Sequence, residues 1–362
     1  PASGAVLAFV SRPGFDPNLF VDGIDPASWA ELNGSADKPL TNRAIAGIYP
    51  PGSTFKPFMA LAALELGKRT PRSSIQDPGY FLFGERRFRD SKPGGHGTVD
   101  LYKSIVKSSD TYYYMLANDM GIDAIAGFMR HFGFGARTGI DLEGEAAGGL
   151  PSPEWKTKRF RRPEQQRWYA GETISIGIGQ GYNAYTPVQL AQAVAMLANN
   201  GVMMRPRLVS RIDNLRNGER RYLEPQPVPG VAFKQENVDF VKHAMAGVNR
   251  EGTGARAFAG AQYTSGGKTG TAQVVGMKQN EKYDEKKVTE RHRDHSLFIA
   301  FAPVESPKIA LAVVVENGGF GARAAAPIAR TLLDYYLLGK QPDAPLKPAP
   351  PEDGPDEEED GD

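Results

Sequence analysis

The sequence predicts an α+β fold: an antiparallel sheet flanked by helices, with an all-helical lobe inserted before it. Three observations carry that expectation. The chain has 362 residues, of which 40% are hydrophobic, enough for one large domain or two modest ones. Apolar residues recur at helical spacing in several stretches of the first 250 residues and then change period. Three late stretches, "YTSGGKTGTAQVV", "HSLFIAFAP" and "KIALAVVVENGG", read as strands joined by short or polar loops, the pattern of an antiparallel sheet.

The elements follow in order. Residues 4–11, "GAVLAFVS", read as a strand ending in a Pro/Gly/Asp turn, one that would join the late sheet across a long stretch of sequence. Residues 26–33 allow a short helix. "STFKPFMALAALEL", residues 53–66, reads as a helix stopped by Gly67. Residues 98–118 and 122–132 look mostly helical. "TPVQLAQAVAMLANNG", residues 186–201, has threonine and proline at its start and glycine at its end, a strong helix signature. Residues 234–249 give another helix, and residues 323–338 close the body. The helical lobe is placed within 53–250 and the whole domain within 1–340.

Charge is uneven. The whole chain carries +1, but residues 341–362 hold nine acids and one lysine among prolines, an acidic tail expected to be disordered. Residues 1–340 then hold 42 basic against 33 acidic side chains. "KQNEKYDEKKVTERHRD", residues 278–294, is dense in charge and reads as an exposed loop between two strands. There is no cysteine, which excludes disulfides and thiolate metal sites. No run of about 18 apolar residues marks a membrane span, and no signal peptide is visible. The near-neutral balance makes no case for nucleic acid.

The chemistry centres on serine and lysine. The spacing Ser-x-x-Lys occurs four times, at Ser35/Lys38, Ser53/Lys56, Ser104/Lys107 and Ser265/Lys268. Spacing alone does not choose among them. Only Ser53 follows a Pro-Pro-Gly turn and opens a long apolar helix, where residues three apart share a face. The plain alternative is an N-cap serine. Two further stretches shift the balance: "KSSDTYYY", with Ser108 and Asp110, and "SGGKTGTAQVV", with Lys268, Thr269 and Gly270 at the head of a strand.

Together, in this order, these stretches resemble the penicillin-binding transpeptidases and serine β-lactamases, whose marks are S-x-x-K, S-D-N and K-T-G. Here the middle motif carries Asp110 where asparagine is commoner. "SRPGFDPNLFVDGI", "GIYPPGSTFKP", "GHGTVDL", "DMGID" and "ISIGIGQGYNAYTPVQLA" extend the resemblance from about residue 4 to about 338. They are similar to the penicillin-binding protein 2 group, class B D,D-transpeptidases of cell-wall elongation in Gram-negative bacteria. That resemblance implies the transpeptidase fold and a periplasmic location at the inner membrane. The group's membrane helix and N-terminal pedestal have no counterpart in this sequence. It implies as partners peptidoglycan stem peptides, β-lactams, a SEDS-family glycosyltransferase and an elongation scaffold protein, and it implies no required cofactor.

The resemblance also assigns roles. Ser53 would attack the D-Ala–D-Ala bond, and β-lactams, which mimic that terminus, would trap it as an ester. Lys56 would take the hydroxyl proton, which requires it to be neutral; desolvation and the second cation, Lys268, would favour that form. Ser108 would relay a proton to the leaving amine. Asp110 would accept hydrogen bonds from Lys56 or a substrate amide. Lys268 and Thr269 would hold the peptide's terminal carboxylate. Gly270, lacking a side chain, would let the substrate backbone lie along the strand beside Thr271. The backbone N–H groups of Ser53 and Thr271 would form the oxyanion hole.

Asp77, Asp90 and His96 offer two hard oxygens and an imidazole, a donor set for structural zinc. Some relatives carry cysteine where this chain has Ser109; the plain alternative is a polar loop knitted by hydrogen bonds. A β-lactamase, a β-lactam sensor and a D,D-carboxypeptidase stay open as alternatives. The Glu-x-x-x-Asn pattern of class A β-lactamases does not occur.

Overall fold

The computed structural model describes residues 1–274 and 288–342. Segment 4–11 is not a strand of the late sheet. Only Ala5 forms a bridge, parallel, with Arg207. Leu7 and Val10 stay 58% and 72% exposed, because only Val6 and Phe9 find apolar partners, in a small cluster with Ile45, Ile140 and Val188. The cluster belongs to the helical part, so the sheet never gains this strand.

Helix α1 (Pro26–Gly34) starts where the Asp25 side chain accepts from the N–H groups of Ala27 and Ser28. A single turn, α2 (Arg43–Ala46), precedes a 3₁₀ turn at Gly52–Phe55 that runs directly into α3 (Lys56–Glu65). Every residue from Lys56 to Leu64 is buried, so α3 is the central strut of the lobe. Gly67 ends it with a φ of 65°. Strands β1 (Ile75–Asp77), β2 (Tyr80–Phe83), β3 (Arg86–Arg89) and β4 (Gly97–Val99) form two small hairpin pairs, β1 with β4 and β2 with β3.

The stretch expected as helical over 98–118 divides into α4 (Leu101–Val106) and α5 (Asp110–Met120). Ser109 caps α5, its hydroxyl accepting from Tyr112 N–H, and Ser108 sits at φ 59°. A non-glycine residue there is strained and breaks the helix. Then come α6 (Ile122–Met129), α7 (Pro153–Arg159), α8 (Pro163–Gln166), α9 (Ala170–Ile176) and α10 (Pro187–Ala198). An exposed hairpin of β5 (Arg211–Asp213) and β6 (Arg220–Tyr222) leads to α11 (Gln235–Glu251) and α12 (Ala255–Phe258).

The three late strands are β7 (Gly266–Ala272), β8 (His295–Ala302) and β9 (Ile309–Val315), antiparallel in that order. Lys268 pairs with Ile299 and Thr271 with Ser296. The last helix, α13 (Ala325–Leu338), covers one face, where Phe298, Ala300 and Ala302 meet Ala325, Ala329 and Leu333. On the other face Leu297, Ile299 and Phe301 enter the main core with Phe58, Leu61 and Val248. Both faces of β8 are therefore buried, which is why its sequence is a continuous apolar run. Burying each such side chain contributes about 1.5–3 kcal/mol. β7 is the outer strand, and its free edge faces the 3₁₀ turn and the start of α5. Residues 278–287 of the charged loop 278–294 lie outside the described residues, as do 343–362 of the acidic tail. No described helix is long and apolar enough to cross a membrane.

Candidate active site

Three starts of elements converge: the 3₁₀ turn with Ser53, the N-terminus of α5 with Ser108 and Asp110, and β7 with Lys268. Ser53 is half-buried and does not cap α3; neither the 3₁₀ turn nor α3 has a side-chain cap. Residues i and i+3 eclipse in a 3₁₀ turn, so Ser53 and Lys56 share one side of this short rise. The other three Ser-x-x-Lys pairs are used for structure. Ser35 Oγ accepts from the Asp37 N–H. Ser104 Oγ donates to the Leu101 carbonyl at 2.8 Å. Ser265 Oγ accepts from Asn249 at 2.9 Å.

Lys56 is fully buried, at 0% exposure. Its ammonium donates to Ser108 O at 2.6 Å, Ser108 Oγ at 3.1 Å and Asp110 Oδ1 at 2.7 Å. Three acceptors match the three donors of a charged lysine. Lys268, also at 0% exposure, contacts the same hydroxyl from the other side, Nζ to Ser108 Oγ at 2.8 Å, and reaches Thr269 O at 3.2 Å. Burial, and then the charge of Lys56, push Lys268 well below the ordinary lysine value, against the pull of Asp110. Among the described residues, Lys56 has the carboxylate of Asp110 beside it, and Lys268 has none as close. Burial also raises the Asp110 carboxyl; the Lys56 ammonium opposes that rise, and Asp90 adds to it. Asp110 Oδ2 accepts from Ser91 N–H at 3.2 Å.

Gly270 lies on β7 as expected. A side-chain carbon there would stand 2.7 Å from Thr54 Cγ2 and 3.0 Å from Pro51 O. Its bareness lets the strand press against the Ser53 turn. The strand edge is what stays open. In an extended strand the N–H and C=O of one residue point to the same side. Gln180 Nε2 donates to Thr271 O at 3.0 Å from across the cleft, and Thr269 O faces Lys268. Thr269 and Thr271 therefore turn their backbone groups away from β8 and toward the cleft. Gly52 packs so closely on Thr271 that a side-chain carbon would overlap the Thr271 carbonyl. The backbones of Ser53 and Thr271 are brought side by side.

Asp77, Asp90 and His96 also come together, with one donor atom of each within 4.8 Å of the others. Ser109 Oγ donates to Asp77 Oδ2 at 2.8 Å, and Thr111 N–H donates to Asp90 Oδ2 at 2.8 Å. Burial opposes the Asp90 charge, yet the Thr111 and Lys92 N–H bonds and Lys56 hold it below the usual carboxylate range. His96 Nε2 is buried without a hydrogen-bond partner, 3.7 Å from Asp90 Oδ1, and burial lowers its pKa. An orphaned imidazole nitrogen aimed at two carboxylates fits a divalent metal.

Several participants were not singled out from the sequence. Thr253 shares a 2.7 Å hydrogen bond between hydroxyls with Thr269. Gly179 accepts from Gly52 N–H at 3.0 Å, and Gln180 follows it. The glycines spaced two apart in "GIGQG" are the signal that would have found this contact, because only bare backbone packs so closely.

Residues 1–334 match the family described as penicillin binding protein transpeptidase domain. The chain is 44% identical over 347 residues to the peptidoglycan D,D-transpeptidase MrdA of Haemophilus influenzae, covering 94% of this chain and 52% of that protein. It is 43% identical over 344 residues to MrdA of Escherichia coli K12, covering 94% and 53%. The chain spans about half the length of the curated relatives it matches. Among solved structures, Pseudomonas aeruginosa PBP2 in complex with WCK 5153 superposes with a TM-score of 0.82 at 43% identity, covering 96% of this chain and 72% of that one. The complex of Helicobacter pylori PBP2 with MreC matches with a TM-score of 0.78 at 31% identity, covering 91% and 57%.

Proposed function

The chain belongs to the penicillin-binding-protein transpeptidase family, and from that premise we propose that it carries a peptidoglycan D,D-transpeptidase site with Ser53 as nucleophile. The observation that carries the reading is the single hydroxyl of Ser108, held between two buried lysines at 3.1 and 2.8 Å beside the open edge of β7.

The stem peptide lies along the outer edge of β7 as an added strand, the second lone pair of Thr271 O accepting from it while Thr271 N–H is kept for the oxyanion. Its terminal carboxylate comes to rest near Lys268 and Thr269. A negative charge there favours the protonated form of Lys268. A proton passes from Lys56 to Ser108 Oγ as the hydroxyl proton of Ser108 passes to Lys268. Lys56 is left neutral and becomes the base. Ser53 Oγ gives it a proton and attacks the carbonyl carbon between the two D-alanines. The oxyanion is met by the N–H groups of Ser53 and Thr271. The C–N bond breaks, the leaving amine takes a proton through Ser108, and D-alanine departs. An acceptor amine from a second stem then attacks the Ser53 ester, forms the new amide and returns the proton to Ser53. These steps use only side chains and backbone groups of this chain and need no cofactor.

The Asp77, Asp90 and His96 cluster would hold zinc, with Ser109 beside it in place of a thiolate. The metal's part there is structural: it would tie the β1–β4 segment to the start of α5, and so steady Ser108 and Asp110. Residues 1–340 form the transpeptidase domain in this reading, with the helical lobe inside 53–250. A SEDS-family glycosyltransferase and an elongation scaffold at the periplasmic face of the inner membrane are the partners that go with it.

The test is mass spectrometry of the chain after penicillin treatment, with the adduct located by peptide mapping and its lifetime followed. An adduct on Ser53 lasting far beyond the labelling time, with D-alanine released from a stem peptide supplied with an amine acceptor, supports the reading. Rapid release of hydrolysed penicillin makes the site a β-lactamase. An adduct elsewhere removes Ser53 from its role.

A further inference from the structure

We propose that Gln180 is a positioning residue for the oxyanion pair, and that the pair of buried Lys156 with Glu172 anchors the segment that carries it. This rests on the reading of Ser53 N–H and Thr271 N–H as the oxyanion donors.

Thr271 N–H and Thr271 O face the cleft together. A carbonyl dipole on that side, next to a developing negative charge, is repulsive unless a donor occupies it. The side-chain amide of Gln180 is that donor, at 3.0 Å. Its neighbour Gly179 binds the other side of the hole: the Gly52 N–H donates to Gly179 O at 3.0 Å. Gly179 has a φ of 73° and no room for a side chain, which would overlap the Gly52 carbonyl. One short segment thus grips the residue before Ser53 through its backbone and Thr271 through its side chain, and so sets the spacing of the two donors.

The segment is itself closed at both ends on a single carboxylate. Glu172, in the first turn of α9, accepts from Tyr169 N–H at 2.9 Å before the helix and from Tyr182 OH at 3.0 Å beyond Gln180. Lys156, only 2% exposed, donates to Glu172 Oε2 at 2.7 Å and to Arg167 O at 2.7 Å. The rings of Trp168, Tyr169 and Tyr182 surround its ammonium at 5.7, 5.3 and 5.4 Å. The buried Lys156 ammonium, with its partners supplied, holds one geometry, because any departure leaves that charge uncompensated; Glu172 keeps 23% of its side chain exposed. The Gln180 backbone is held as well, Gln180 N–H donating to Ser175 O at 3.1 Å and Asn183 Nδ2 to Gln180 O at 3.0 Å.

The experiment compares the unaltered chain with Gln180→Met, Gln180→Glu and Lys156→Met. Penicillin acylation is followed by rapid quench over a range of concentrations, separating the noncovalent constant from the acylation rate. The ester carbonyl stretch of the Ser53 adduct is read by isotope-edited infrared difference spectra. The expected result is an acylation rate about 10–100-fold lower in both Gln180 variants, short of the roughly 10²–10³ for deleting an oxyanion donor outright. The noncovalent constant should stay within about twofold. The ester carbonyl should move to higher wavenumber, since a misaligned hole polarises it less. Lys156→Met should move the same two quantities in the same direction. An unchanged rate, or a loss confined to the noncovalent constant with an unshifted carbonyl, overturns the proposal. If the unaltered chain's own adduct shows an ester carbonyl no lower than that ester in water, the oxyanion reading falls, and the role of Gln180 falls with it. If Gln180→Met fails to fold, Gln180→Glu decides, because it keeps the shape and loses the donor.

Discussion

Lys268 Nζ and Ser108 Oγ lie 2.8 Å apart although 160 residues separate them in the chain. Lys56 reaches the same hydroxyl from behind at 3.1 Å. Ser108 is therefore the junction between the two lysines. Ser108→Ala should lower the penicillin acylation rate by about 10²–10⁴, the range for a positioned proton-transfer group, while Ser53→Ala abolishes labelling. Labelling rates by Ser108→Ala within twofold of the unaltered chain would remove the relay.

Arginine separates the two lysines' jobs. Guanidinium stays protonated throughout the working pH range. Lys56→Arg should therefore be nearly as damaging as Ser53→Ala, a loss of roughly 10⁴. Lys268→Arg should keep partial acylation, because a cation near the substrate carboxylate is what the productive complex needs. The second-order acylation rate over about pH 6–9, a window that contains the perturbed range of a buried lysine, distinguishes them. A dead Lys268→Arg beside an active Lys56→Arg exchanges base and anchor.

Stability should depend on pH through Lys268. Its native pKa is lowered, chiefly by burial. Between that lowered value and about 10.4 the unfolded chain holds a proton that the native one does not. The unfolded state binds more protons, so stability rises with pH across the window and is lost as pH falls through it, by at most about 1.4 kcal/mol per pH unit. Urea unfolding at pH 7, 8 and 9 should show the unaltered chain gaining on Lys268→Met as pH rises. A constant difference would mean that Lys268 titrates as it does in the unfolded chain.

Gly270→Ala should cost about 1–3 kcal/mol, as overpacking does, because its side-chain carbon would press on Thr54 and Pro51. The relief must come from β7 moving away from the Ser53 turn. Acylation should therefore fall by more than the melting temperature alone explains. Stable, fully active Gly270→Ala would show that the strand has slack there.

Zinc should raise the melting temperature of the chelator-treated protein by several degrees through Asp77, Asp90 and His96. The response should vanish in His96→Ala and strengthen in Ser109→Cys, which adds a thiolate ligand. Elemental analysis alongside thermal melts checks this. An equal response in His96→Ala would place the metal elsewhere.

What the sequence by itself determined is what depends on neighbours along the chain. Ser53 and Lys56 are three apart after a Pro-Pro-Gly turn, and one turn of helix is enough to set them side by side. The runs of β7, β8 and β9 were legible because burial on both faces leaves continuous apolar letters. Asp77, Asp90 and His96 were legible as donor types within twenty residues, although not as a cluster. The tertiary structure alone decided what depends on distant chain segments. Segment 4–11 has the letters of a strand but no neighbouring strand to pair with. Lys56 and Lys268 are both lysines in the sequence; folding sets the carboxylate of Asp110 2.7 Å from Lys56 and buries Lys268 without a carboxylate as close. Gly270 is bare because Thr54 arrives from 216 positions away, and Gln180 gained a role only when folding set Thr271 O before it. Charge state and close packing are set by what surrounds a residue in space, and that surrounding is assembled from parts of the chain that carry no local mark of one another.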